Sequence, residues 1–177
     1  YSQDSQATLE ARPAAGWVFA GWEADLTGTT PQRTLLMNAD RAVVARFNYP
    51  KENWRAAYFT AEELADPAIS GDAAAPGPLG VSNLMSYLSG RDPRSHTPFN
   101  MAPEIRDDTV YSRYTRNTGS EGATLVAEAS TDLINWTVPV SEQIIAETDG
   151  VETVEVSLPR QSRARVFLRL HAIPEAP

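Results

Sequence analysis

Over the first quarter of the chain, apolar and polar positions alternate. Leu9 and Ala11 alternate with Thr8 and Glu10, Thr34 to Met37 reads as an apolar strand, and Val43, Ala45 and Phe47 alternate again. A period of two is the strand signature, because successive side chains leave the backbone on opposite faces. On that rule Trp17, Phe19 and Gly21 fall on one side of an extended strand, and Val18, Ala20 and Trp22 on the other. Pro13 with Gly16, and Asn38-Ala39-Asp40, supply the turns. The period changes after Asn48. Trp54, Ala57, Tyr58 and Ala61 recur at i, i+3, i+4 and i+7, which predicts one buried helix face. Thr60 with Glu63 predicts a capping box that splits this segment, and Asp66-Pro67 stops it. Residues 70–80 read as a loop, after which Ser82 caps a helix carrying Leu84, Met85 and Leu88 and ended by Gly90 and Pro93.

From Phe99 to Ile173 the period of two returns. Val110, Ser112 and Tyr114 share one face, as do Leu125, Ala127 and Ala129; after a Thr148-Asp149-Gly150 turn so do Val154, Val156 and Leu158, then Val166, Leu168 and Leu170. The predicted fold is mainly β with a short helical linker: a small β-grasp-like repeat over 1–48, two to three helices over 49–98, and an antiparallel β-sandwich-like module over 99–177. Trp54, Phe59, Leu84, Tyr87 and Leu88 are expected to form a small helical core docked on a neighbouring sheet.

Three resemblances sharpen this outline. Thr8-Leu9-Glu10-Ala11-Arg12-Pro13, the Gly16-to-Trp22 strand and Ala42 to Phe47 resemble the divergent B-repeat of internalin-type and other bacterial surface proteins. That resemblance implies a spacer used for extension and adhesion, not catalysis. Such repeats usually carry one or two strands before the Thr-Leu strand, and here at most seven residues precede it, so an open sheet edge is expected there. Trp54-Arg55…Phe59, Gly80-Val81-Ser82-Asn83-Leu84 and Tyr87…Gly90-Arg91-Asp92-Pro93 resemble a calcium-loop module found near the C-termini of large exported bacterial proteins. The ligand positions of that pattern are occupied by Ala75, Gly77, Leu79 and Ser86. Calcium needs six to eight oxygen donors, several of them anionic, so the loop reads as a metal-free relic stiffened by Pro76 and Pro78. The rival is a rearranged site completed by Asp66, Asp72 or Asp92. Leu125 to Trp136, containing Ser130-Thr131-Asp132-Leu133-Ile134-Asn135-Trp136, together with Phe167-Leu168-Arg169-Leu170, resembles the C-terminal β-module that often follows such a linker.

Composition narrows the function classes. The net charge of -8 argues against nucleic acid or an anionic membrane as partner, since both repel it. The absence of cysteine excludes thiolate catalysis and cysteine-based zinc sites, leaving burial, a metal or neighbours to stabilise a small exported domain. No apolar run approaches the roughly 18 residues of a membrane span, and the start carries no signal-peptide pattern. Strand-type sequence at residue 1 reads as a piece of a longer polypeptide, and the Ile173-to-Pro177 ending carries no exosortase-type sorting signal.

Candidate chemistry is sparse. Ser130, Asp132 and a histidine could nominally form a triad, but Ser130 has no Gly-x-Ser-x-Gly elbow and reads as part of a turn. His96 and His171 have no second histidine at ligand spacing, and Glu62-Glu63 and Asp107-Asp108 are adjacent pairs that point apart. Arg160, Arg163, Arg165 and Arg169 form the one basic concentration, expected to pair across strands with Glu152 and Glu155 or else to bind an anionic glycan. Either Trp17 or Trp22 could be exposed and stack on a sugar. No catalytic, cofactor-binding or metal-ligating residue is assigned, and no cofactor is expected. The expected function is a non-catalytic structural module of an exported bacterial protein, extracellular or at the cell surface, serving as spacer, display or assembly region. The alternative is a carbohydrate- or matrix-binding accessory to a polysaccharide-degrading enzyme. Expected partners are other domains of the same polypeptide, neighbouring copies through an open sheet edge, and surface glycan, with no nucleic acid and no membrane insertion.

Overall fold

The computed structural model describes residues 4–14, 17–99, 101–161 and 163–174. In chain order the elements are β1 (Ser5–Glu10), β2 (Val18–Ala24), β3 (Gln32–Met37), β4 (Val43–Asn48), α1 (Lys51–Tyr58), α2 (Ala61–Leu64), α3 (Pro67–Ser70), α4 (Asn83–Leu88), β5 (Glu104–Arg106), β6 (Thr109–Asn117), β7 (Ala123–Ser130), β8 (Ser141–Thr148), β9 (Val151–Pro159) and β10 (Phe167–Pro174). The fold is mainly β, with antiparallel sheets and four short helices. Two compact units, Tyr1–Trp54 and Arg55–Pro177, divide inside α1. The stretches 49–98 and 99–177 thus fall almost wholly in the second unit.

In the first unit β1 pairs with β3 and β2 with β4, both antiparallel. Among the described residues no helix intervenes between these four strands, so the expected β-grasp-like repeat is built from strands alone. Ala11, Trp22 and Leu26 are buried, and Leu9, Phe19, Leu35, Val43, Ala45 and Phe47 pack against them. Strict alternation fails in β2. Phe19 lies opposite Phe47 but Gly21 lies opposite Arg46, which leaves Ala20 as an extra, bulged residue. A bulge resets the side-chain parity, so Phe19 and Trp22 share the inner face, their rings 5.2 Å apart edge to face. Trp22 donates its indole N–H to Thr30 O at 2.9 Å. Trp17 is half-buried and stacks on Tyr49 at 5.3 Å. Gly16 and its expected turn lie outside the described residues.

The helical segment also departs from one expectation. Ala57 and Ala61 are exposed, while Trp54 and Phe59 are buried and Tyr58 is half-buried. For Ala61 the reason is the capping box. Thr60 Oγ1 accepts from Glu63 N, and the Glu63 carboxylate accepts from Thr60 N at 3.0 Å, so a new helix starts at Ala61 and the seven-residue repeat is cut. Asp66-Pro67 stops α2 and begins α3: Asp66 Oδ1 accepts from Ala68 N at 2.9 Å, and Pro67 sits in the first turn, where its missing N–H costs nothing. Ser82 caps α4 through Met85 N, and Gly90 ends it at φ +67.

The β part of the second unit is a sheet in the order β5-β6-β9-β8 together with the pair β7-β10. Val154, Val156 and Leu158 of β9, Leu125 and Ala129 of β7, and Val110 and Tyr114 of β6 form its buried interior. Burying each Val or Leu contributes about 1.5–3 kcal/mol, and the alternation seen in the sequence places all of them. Helix α4 packs on β6 and β7. The wholly buried Tyr87 accepts Glu121 N–H on its phenol at 2.8 Å, and Thr115 Oγ1 donates to Ser89 O at 2.9 Å.

Candidate functional site

The loop between α3 and α4 is the place where the sequence pattern points to chemistry. Its backbone is drawn in tightly. A side chain at Gly71 would meet Pro67 O, and one at Gly77 would meet Pro93 O, at 2.4 and 2.3 Å, which explains glycine at both positions. Asn83, 1% exposed, is the pin. Its amide donates to Ile69 O at 2.9 Å and Gly71 O at 2.8 Å, and its backbone N–H donates to Ala74 O at 2.8 Å. Leu84 N donates to Asp72 O at 3.0 Å. The Asn83 side chain, part of the framework that resembles the calcium-loop module, therefore spends its donors closing the loop.

The three aspartates that could complete a rearranged site are not brought together. Asp66 caps α3, Asp72 pairs with Arg55 at 2.8 Å, and Asp92 accepts from Arg94 N at 2.7 Å. Arg94 in turn donates to Tyr58 O at 2.7 Å, pairs with Glu63 at 2.6 Å, and lies 4.9 Å from the Phe59 ring centre. Ser86, at the last of the four ligand positions of that pattern, is buried. Among the described residues no three His, Asp or Glu side chains converge on a point where a metal ion could sit.

The Ser130-to-Trp136 segment is a turn held by its own side chains. Ser130 Oγ donates to Asp132 Oδ1 at 2.9 Å and accepts from Asp132 N and Leu133 N. Asp132 accepts from Ile134 N and Asn135 N on Oδ1, and from Asn135 Nδ2 on Oδ2. Bonds from the Asn135 backbone and amide, followed by those of Ile134 and Ser130, hold the Asp132 carboxyl far below the usual aspartate range. Leu133 takes a left-handed φ of +65. His171 lies elsewhere: Phe167, not His171, faces Ser130 across the β7–β10 pair, and His171 Nδ1 sits 3.0 Å from Glu128. Ser130 is wholly buried with its hydroxyl engaged, so the nominal triad is not assembled. His96 is exposed in the segment after α4. Asp107 and Asp108, at φ +48 and +58, are the two central residues of the β5–β6 hairpin.

The arginine cluster does not pair as expected. Glu152 and Glu155 lie opposite Arg116 and Arg113 of β6 and bind them, each at 2.8 Å, because β9 neighbours β6 and β8 while β10 neighbours β7. Arg169 pairs with Glu128 at 2.7 Å and covers the Trp136 ring at 4.0 Å. Arg160 approaches Asp108 at 4.0 Å, and Arg163 donates to Pro159 O at 2.8 Å. Glu128 is held below the usual carboxylate range by His171 first and then Arg169. A small cleft of about 180 Å³ beside β6 is lined by Glu104, Arg106, Tyr111, Arg113 and Glu155. Glu155 bridges both of its arginines, and Arg106 lies 3.9 Å over the Tyr111 ring. With Trp22 and Trp54 buried, Trp17 stacked on Tyr49 and Trp136 under Arg169, each indole has at least one face occupied.

One structural residue escaped the sequence reading. Glu142 of β8 accepts from Tyr114 OH at 3.0 Å and from Ala127 N at 2.8 Å, so a single carboxylate clasps the two sheets. Burial first, and then the Glu142 charge, raises the Tyr114 phenol above the usual tyrosine range. The turn before β9 was a signal for a strand on its other side, but the continuous exposure of β8 gives it no alternation to find.

A family model described as Divergent InlB B-repeat domain matches residues 1–51. Neither the curated proteins nor the solved structures provide a match.

Proposed function

We propose that this chain is a non-catalytic structural module of a bacterial protein displayed at the cell surface or outside the cell, where it serves as a spacer. The observation that carries this reading is the repeat-domain match over residues 1–51, a region whose side chains the structure spends on a small apolar core. Further support comes from the remainder of the chain, where the groups with chemical potential have structural partners: Ser130 and Asp132 in a turn, Asn83 in a loop closure, and Glu155 between two arginines. No helix of the described residues is long and apolar enough to cross a membrane, which fits a module lying outside the bilayer. Its partners on this reading are the other domains of the same polypeptide.

The test is replacement. In the parent polypeptide, residues 1–177 are exchanged for an unrelated domain of equal length, and surface display is read by protease shaving of intact cells. Retained display and retained function of the flanking domains are expected. A hydrolytic activity of the isolated chain on ester or glycoside substrates would overturn the proposal. Saturable binding on a glycan array would replace it with the carbohydrate-binding alternative.

A further inference from the structure

Among the described residues, two buried side-chain polar atoms have no hydrogen-bond partner in the protein: Arg55 Nε and Asn83 Oδ1. Buried polar atoms are otherwise almost always bonded, so each of these calls for a cause. One is a donor and the other an acceptor, and both border the loop between α3 and α4. Arg55 Nη2 donates to Asp72 Oδ1 at 2.8 Å. Asp72 O accepts from Leu84 N at 3.0 Å, and Gly71 O, one residue earlier, accepts from Asn83 Nδ2 at 2.8 Å. The guanidinium and the amide therefore grip adjacent residues of one turn.

The Asn83 amide cannot turn over to find a donor. Its Nδ2 serves two carbonyls, Ile69 O and Gly71 O, and a flipped amide would bring Oδ1 against both. Arg55 Nε stays a donor, because a guanidinium in a protein does not lose its proton. Whatever satisfies both atoms must accept from an N–H and donate to a neutral carbonyl oxygen. A metal ion accepts no hydrogen bond and is repelled by the guanidinium. An anion such as chloride has nothing to donate to Oδ1. Water does both. The Asp72 carboxylate beside Arg55 offers a third polar group for its second O–H, and buried waters bind about three such groups.

We infer that the loop between α3 and α4 binds one structural water molecule, which accepts from Arg55 Nε–H and donates to Asn83 Oδ1. It ties α1 to the first residue of α4. A neutral ligand needs no anionic cage, which agrees with Ala75, Gly77 and Leu79 at the ligand positions of the calcium-loop pattern. The inference is separate from the spacer reading: a loop closed without water would leave that reading as it stands.

The experiment uses the full 177-residue chain and the variant Arg55→Lys, in which a methylene replaces Nε–H while a cation remains for Asp72. Oxygen-17 relaxation dispersion of the solvent counts long-lived internal waters, and the variant is expected to lose one relative to the parent. Thermal unfolding certifies that the variant folds. In the parent, nuclear Overhauser cross-peaks are expected from water to the Arg55 Nε–H and Asn83 Nδ2 protons. A high-resolution crystal structure of the parent is expected to place a water oxygen about 2.7–3.2 Å from both Arg55 Nε and Asn83 Oδ1, and it decides alone if the variant does not fold. A direct Arg55 Nε to Asn83 Oδ1 hydrogen bond in that crystal overturns the inference. So do equal dispersions in parent and folded variant, and density at the site that disappears with chelator, which would assign it to a metal ion.

Discussion

At Asn83 the amide nitrogen, not the oxygen, carries the structural load. Its two N–H groups satisfy the carbonyls of Ile69 and Gly71, which otherwise end α3 inside a buried turn. Asn83→Ala removes the amide donor from Ile69 O and leaves Gly71 O with its bond from Ala74 N alone, and is expected to cost about 1–3 kcal/mol. Asn83→Asp keeps the shape but brings an acceptor against two acceptors, so it is expected to cost more than the alanine variant. Chemical denaturation of both variants checks the order; an aspartate variant as stable as the parent would mean that the site tolerates, or recruits, a cation. The Asp132 turn makes a pH prediction. Its carboxyl is depressed by the N–H groups of Asn135 and Ile134, so the unfolded chain takes up a proton before the folded one does. The stability it contributes is complete above the ordinary aspartate pKa of about 4 and drains away as pH falls below that value toward the depressed one. Asp132→Asn is therefore expected to be less stable than the parent at neutral pH, and the gap in melting temperature is expected to close as the pH is lowered to about 2, below the ordinary pKa. A gap independent of pH would assign the turn's strength to geometry alone.

Elements were legible where one face is wet and the other dry. β6, β7 and β9 alternate in sequence and in burial, from Val110 and Leu125 to Leu158. β2 was misread because a bulge at Ala20 inserts one residue into a period of two, and nothing in Phe19-Ala20-Gly21 announces it beyond a glycine. β8 was invisible because it buries neither face, and the three-pair β5–β6 register hinges on two aspartates in left-handed conformation. Caps were read correctly because they are local: Thr60, Ser82 and Gly90 act through neighbours three or four residues away. The helix face was half right, and mutagenesis separates the halves. Trp54, 2% exposed, is expected to cost about 3–5 kcal/mol on truncation to alanine, whereas Ala57→Ser on the exposed side is expected to change stability by less than about 0.5 kcal/mol. Gly90 tests the junction between α4 and the sheet. Its φ of +67 costs a side-chain-bearing residue about 1–2 kcal/mol, and a Cβ there would lie 2.6 Å from Val151, so Gly90→Ala is expected to lose more than the backbone term alone. A loss at or below about 1 kcal/mol would show that Val151 moves aside freely.

For the whole molecule, stability has few sources. With no cysteine there is no covalent staple, and the ion pairs are largely on the surface, where each contributes about 0–1 kcal/mol. Apolar interiors remain: Ala11, Trp22 and Leu26 in one unit, and the β6, β7 and β9 residues in the other. In the loop that resembles a calcium site, a metal would have to be held without the anionic ligands that make such binding strong, and the Asp72 carboxylate faces Arg55. Opening the Arg55–Asp72 pair to admit a cation would leave the guanidinium beside the ion, a repulsion that no remaining carboxylate of the loop offsets. Thermal unfolding of the chain is therefore expected to be the same, within about a degree, with millimolar calcium as with excess chelator, since a ligand stabilises only in proportion to its binding to the folded state. The same comparison on a variant that restores the ligand pattern, with Ala75→Asp, Gly77→Asp, Leu79→Asp and Ser86→Glu together, separates loop shape from loop charge. The packing of Gly77 against Pro93 O and the burial of Ser86 predict that this quadruple variant is destabilised and not rescued by calcium, because the loop has closed over the space the ion would need. Recovery of the parent's melting temperature on adding calcium would show instead that the architecture of the site survives and that only its charges were lost.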